Sequence, residues 1–184
     1  LDVTDPLAPK GLWEFKWSST VCPWSAGNTP IGAAVGNTSD CHLGQTYGRP
    51  LITKLADGTW VVMVTSGYNN VNAPVQPGDG GGYLYVLNAS TGQIIHKMPT
   101  SAGNPATPSG LAQINGFADL AEINNMTLRV YGTDVLGNIW RFDINDNLNP
   151  SGREATLLGT ATDSGGTPQP ITIRPELSVK DGNP

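Results

Sequence analysis

The chain has 184 residues, enough for one domain with its own core. Charged side chains make up only 14%, against 23 glycines and 15 prolines, which points to short strands joined by many turns. A net charge of −5 argues against the clustered basic face that nucleic acid needs, and no apolar run approaches the ~20 residues of a membrane-spanning helix.

In chain order, Leu1–Thr4 reads as the end of a strand and Asp5–Pro9 as a proline-rich turn. Leu12–Trp17 alternates and reads as an outer strand. Ser18 to His42 is a long loop rich in Gly, Asn, Ser, Thr and Pro that holds Trp24 and both cysteines. Cys22 and Cys41 bracket its polar part. A disulfide closing it would contribute ~3 kcal/mol by restricting the unfolded chain; the alternative is two free, separately buried thiols. Such a bond would hold Trp24 outward as an aromatic contact point, unless Trp24 folds back onto Trp17 and seals a sheet edge.

Arg49–Leu55 is the next strand, Ala56-Asp57-Gly58 a turn, and Thr59–Thr65 an apolar strand expected to be buried on both faces. Tyr68–Gly82 is a polar loop whose Gly78–Gly82 end reads as a flexible turn. Tyr83–Asn88 and Gln93–Met98 form a pair of strands about the turn Ala89–Gly92. Thr100–Gly110 is a linker and Leu111–Leu120 an inner strand. Val130–Asp143 is a hairpin turning at Asp134–Asn138, with Trp140 and Phe142 on one face and Ile139 and Arg141 on the other. Thr156–Thr162 is an outer strand, and Pro170–Pro175 opens a further unit.

Two internal copies organise this order. Leu84–Ser90 aligns with Ile139–Asn145 at an offset of 55, each after a glycine-rich turn, and Leu1–Thr4 fits the tail of the same unit. Gly48-Arg49-Pro50 matches Ile173-Arg174-Pro175 in a second phase. A repeat of roughly 40–55 residues with four short strands is the pattern of a propeller blade. The expected fold is therefore all-β, part of a larger β-propeller of roughly three four-stranded antiparallel blades, quinoprotein-like. Residues 1–17 end one blade, 18–42 are an insertion, 43–99 and 111–162 are blades, and 167–184 start the next. Leu1 already lies inside a unit, so any export signal is expected upstream.

The residues Leu1–Pro6, Leu12–Phe15, Leu43–Pro50, Asp57–Val62, Ser66–Asn69, Leu84–Val86, Asp134–Asp143 and Thr172–Glu176 together resemble the C-terminal propeller of the PilY/PilC family of type IV pilus tip adhesins. The resemblance implies a non-catalytic module for pilus assembly and surface attachment. It implies minor pilins, the rest of the propeller chain, and host or abiotic surfaces as partners. It also implies export through the periplasm to the pilus tip or outer membrane. Many members carry a calcium loop of spaced Asp and Asn ahead of the hairpin. Here Leu120, Ala121 and Ile123 interrupt that spacing between Asp119 and Asn125, so no calcium site is carried over and no cofactor is expected.

Other chemistry is thinly signalled. His96 is expected to be exposed on an outer strand, and His42 to decorate a loop. Asp143–Asn149 is oxygen-rich but lacks the central glycine and final Glu of an EF-hand, and reads as a solvated turn. Trp13, Trp17, Trp60 and Trp140 read as packing residues. Two other classes remain open. Leu87–Ile94 looks like a quinoprotein blade turn, the mark of a propeller enzyme, although Cys22 and Cys41 are not the adjacent pair usual there. A cell-envelope scaffold that binds protein partners is the third.

Overall fold

A computed structural model describes residues 2–20, 36–71, 78–118, 123–145 and 155–178. Ten strands are present among them: β1 (Lys16–Trp17), β2 (Ser39–Asp40), β3 (Leu51–Lys54), β4 (Trp60–Thr65), β5 (Tyr83–Asn88), β6 (Ile94–Pro99), β7 (Gln113–Ala118), β8 (Thr127–Thr133), β9 (Asn138–Phe142) and β10 (Ala155–Thr160). Strands β3 to β6 make one antiparallel meander and β7 to β10 another, while β1 and β2 form a short parallel pair. The two meanders are the two blades of the sequence repeat.

The blades stack because each presents an apolar face from alternate residues. Val61, Met63, Leu84, Val86 and Met98 of the first blade share one core with Leu111, Ile114, Val130, Trp140, Phe142 and Ile144 of the second. The first strands of the two blades also touch. Thr53 Oγ1 donates to the Asn125 carbonyl at 2.7 Å, and the Lys54 amide donates to the same oxygen at 3.1 Å. Gly48 lies so close to Ala112 that a Cβ would run into its carbonyl, so only glycine fits at this contact.

The opposite face of the first blade is covered from within the chain. Tyr83, Tyr85, Leu87 and Ile94 pack there with Leu43, against Trp13, Phe15 and Trp17 of the N-terminal segment. Burial on both faces falls on β5; β4 alternates instead. Val62 and Val64 are only half-covered because Trp13 and Phe15 leave a cavity of about 220 Å³ over them. Trp60 is 46% exposed, with the Lys54 ammonium 5.0 Å from its ring, and does not serve as core packing.

Leu1 lies outside the described residues and Asp2–Thr4 is no strand. Asp2 bridges Lys10, and its carboxylate accepts from the Thr4 amide at 2.9 Å. In the 12–17 stretch only β1 is extended pairing. Its partner is β2, inside the stretch read as loop, because Lys16 N donates to Thr38 O and Ser18 N to Asp40 O. The Gly78–Gly82 end is not a loose turn: a Cβ at Gly78 would strike the Asn70 carbonyl, and Gly80 (φ 78°) sits against Asn104.

One carboxylate organises the hairpin. Asp134 is fully buried and accepts from the amides of Leu136 (3.0 Å) and Asn138 (2.9 Å), Asn138 Nδ2 (3.0 Å), Trp140 Nε1 (2.9 Å) and Ser109 Oγ (3.3 Å). Gly137, at φ 82°, closes the turn it caps. Beyond the second blade, Ile173 and Pro175 lie against it through carbonyls that accept from Thr133 Oγ1 and Asn115 Nδ2. Asp134→Ala strands the buried Trp140 N–H and removes a charged acceptor. It should cost about 3 kcal/mol or more, read as a lower urea midpoint with an unchanged slope.

Candidate functional site

The returning arm of the 18–42 insertion meets the first blade along β6. Gly36 N donates to Ile94 O at 3.0 Å and Ile94 N to Asn37 O at 2.7 Å, so the returning arm adds to the blade's outer edge. The chain then places Asp40, Cys41 and His42 inward, all essentially without exposed surface. Cys22, Pro23 and Trp24 lie outside the described residues. Cys41 is fully buried and is not a free thiol. The reason is local: the polar insertion ends at residue 38, and Asp40–Leu43 already belongs to the blade's covered face.

A charge cluster lies beneath that arm. Lys97, on β6, has no exposed surface. Its ammonium contacts Asp40 Oδ1 at 2.9 Å, Asp40 Oδ2 at 2.8 Å and His42 Nδ1 at 2.8 Å, using all three of its donors. His42 Nδ1 also lies 3.1 Å from Asp40 Oδ1, and its Nε2 lies 3.6 Å from Asp79 Oδ2. Asp40 Oδ1 also accepts from the His42 amide at 2.8 Å and the Tyr85 hydroxyl at 3.0 Å. Tyr83 donates to Asp79 at 2.5 Å, and Lys97 lies 4.5 Å from the Tyr83 ring centre. Asn70 ties the loop above by donating to the His42 and Gly81 carbonyls.

The electrostatics follow from this enclosure. Burial alone would raise the Asp40 carboxyl. Hydrogen bonds from His42 and Lys97, with the Lys97 charge, outweigh it and hold Asp40 below the usual carboxylate range. Burial pulls the Lys97 amine below its ordinary value, partly countered by Asp40. Tyr83 and Tyr85 are pushed far up, first by burial and then by the neighbouring carboxylates, so both remain phenols.

Asp40, Cys41 and His42 bring potential metal-ligand atoms within 4.8 Å of one another. The donor set does not fit a cation: Cys41 is not a free thiol, and the Asp40 oxygens already face the Lys97 ammonium. In the stretch read against a calcium loop, residues 119–122 lie outside the described residues. The Asn125 carbonyl is spent on Thr53 and Lys54.

Both histidines differ from expectation. His42 is a core member of the cluster. His96 is 8% exposed and lines a cavity of about 370 Å³ between the blades with Leu55, Asp57 and Asn145. Asp143 is 3% exposed rather than solvated, because β9 carries it under the first blade's turn, where Asn145 Oδ1 accepts from Ala56 N. Sequence reasoning missed Lys97 altogether. The available signal was a lone lysine among Ile94, Ile95 and Met98 in a chain poor in charge.

Stacked four-stranded meanders whose first strands adjoin define a β-propeller segment, here with the returning arm of an insertion bonded to one blade. A family model described as the PilY1 β-propeller domain matches residues 24–180, and the chain belongs to that family. It is 31% identical over 175 residues to a type IV pilus biogenesis factor PilY1 homologue of Xylella fastidiosa, covering 95% of this chain and 11% of that protein. It is 27% identical over 203 residues to the type IV pilus biogenesis factor PilY1 of Pseudomonas aeruginosa, covering 96% and 14%. The chain thus spans about a tenth of the length of these relatives. The fold matches the crystal structure of the Pseudomonas aeruginosa PilY1 C-terminal domain with a TM-score of 0.60 at 24% identity, over 74% of this chain and 30% of that one.

Two stability outcomes follow from the cluster. Lys97→Met leaves the buried Asp40 charge uncompensated and should cost about 3–5 kcal/mol, whereas Lys97→Met with Asp40→Asn should recover most of that loss in urea titrations. The depressed Asp40 value means its contribution is present above about pH 4 and is lost as pH falls through the folded value. Unfolding midpoints between about pH 5 and pH 2 should therefore fall more steeply in the wild type than in the double variant.

Proposed function

We propose that this segment is a non-catalytic propeller module of a type IV pilus tip protein that acts in pilus assembly and surface attachment. Family membership supports the pilus setting. The observation that carries the attachment reading is the clamped insertion: a polar loop of the 18–42 stretch whose returning arm is held by a buried ion pair on the outer edge of a blade. A loop held by a rigid scaffold is a sound base for binding, because little order is lost when a partner arrives.

In this reading Cys22 bonds Cys41, and Trp24 projects as the aromatic contact. Minor pilins and a host or abiotic surface are the partners. The module stands outside the cell, at the pilus tip or outer membrane, after passage through the periplasm. The buried cluster supports a structural role, since Asp40 and Lys97 have no exposed surface through which a substrate would reach them.

Trp24→Ala in the full-length parent should reduce surface attachment several-fold while leaving piliation and the melting temperature unchanged. Intact attachment with a lowered melting temperature would instead make Trp24 a seal on the blade. Non-reducing mass spectrometry should find no free thiol at Cys22 or Cys41.

A further inference from the structure

The two blades repeat in register, so positions of one have counterparts in the other. Leu84 and Val86 correspond to Ile139 and Arg141 at the offset of 55. Cross-strand pairing carries the match to the neighbouring strand. Met63 lies opposite Val86 as Tyr131 lies opposite Arg141, and Thr65 lies opposite Leu84 as Thr133 lies opposite Ile139. A hydrogen bond repeats with this register. Thr65 Oγ1 donates to the Ala112 carbonyl at 3.1 Å, just where the second blade begins, and Thr133 Oγ1 donates to the Ile173 carbonyl at 3.1 Å. Residues 173–175 therefore lie where the first strand of a following blade starts.

The faces turned that way differ in chemistry. Val61, Met63, Leu84 and Val86 have no exposed surface and meet the second blade in a shared apolar core. Their counterparts on the second blade are Arg129, Tyr131, Ile139 and Arg141, all half-buried. Arg129 and Arg141 are diagonal neighbours across β8 and β9. Arg174, on the segment that lies over this face, has a buried Nε with no acceptor. Asp143 and Glu176 are the acidic groups of the same stretches, so three guanidinium groups meet two carboxylates, and Glu176 is exposed. The face is positive in a chain of net charge −5.

We propose that the following blade of the parent chain meets this face with carboxylates set against Arg129 and Arg174. The second seam is then fastened by ion pairs where the first is apolar. An apolar cover like that of the first seam would strand these charges, since a guanidinium does not give up its proton and burying it unpaired is costly. A carboxylate answers it through two parallel N–H bonds, and the Arg174 Nε–H is one donor of such a fork. The arginine stems remain free to pack along Tyr131 and Ile139. Apolar blade faces are interchangeable, and repeated blades that share them can dock in the wrong order. A charged seam admits only a blade whose carboxylates are in register.

Two measurements on the full-length parent test this seam. In Arg129→Lys, which keeps the charge, a water-soluble carbodiimide should join the introduced amine to an Asp or Glu of the same chain beyond residue 178. In Arg129→Met the amide of Ile171, which bonds the Asp134 carbonyl beside this seam, should exchange about tenfold faster or more. Arg129→Lys should restore most of that protection. The amide of Gly67, which bonds Leu111 across the apolar seam, should exchange equally in all three proteins. A crosslink to a different protein, or none, would overturn the following blade as occupant. Unchanged exchange at Ile171 in Arg129→Met would overturn the ion pair.

Discussion

The pairing of Asp40 with Lys97 holds the insertion to the propeller. It is a charge pair without exposed surface, between a residue at the end of the 18–42 stretch and the outer strand of the first blade. Such a pair contributes little net stability over an apolar equivalent, since each ion gives up its hydration. Its value lies in what it forbids. Any arrangement that separates the two leaves an uncompensated charge in a dry core, so the arm carrying Asp40 has one seat. The bonds between Gly36, Asn37 and Ile94 lie along the same arm.

The rest of the face fits around that seat. Tyr83 and Tyr85 occupy alternate positions of β5 and turn their rings toward Lys97, while their hydroxyls reach Asp79 and Asp40. Phe15 closes over Tyr85 at 5.0 Å between ring centres, which brings in the N-terminal segment. The second blade is built differently. Its hairpin depends on Asp134, which is answered by backbone amides and neutral donors rather than by a counter-charge. One blade thus uses charge to fasten a distant segment, and the other uses a carboxylate to shape its own turn.

The sequence made the blades legible because their signals are local. Trp140 and Phe142 alternate with Ile139 and Arg141, and the 55-residue offset between Leu84–Ser90 and Ile139–Asn145 exposes the repeat. The cluster was not legible, because its members stand 57 and 45 residues apart in Asp40–Lys97 and Asp40–Tyr85. No periodicity joins residues at that distance. His96 and His42 read as surface positions because charged and polar types usually are, and Lys97 drew no reading at all. The misreading of Thr59–Thr65 has a similar cause: an apolar run shows what can be buried, but only tertiary packing shows that Trp13 and Phe15 stop short of Val62 and Val64.

Native-state hydrogen exchange tests the central claim, that the buried cluster fixes the arm of the insertion to the first blade. The amides of Gly36 and Ile94, which bond across this junction, should exchange slowly in the wild type. In Lys97→Met they should exchange fast, while Asn138 and Trp140 in the second blade keep their protection. Equal protection of the junction in both proteins would contradict the account.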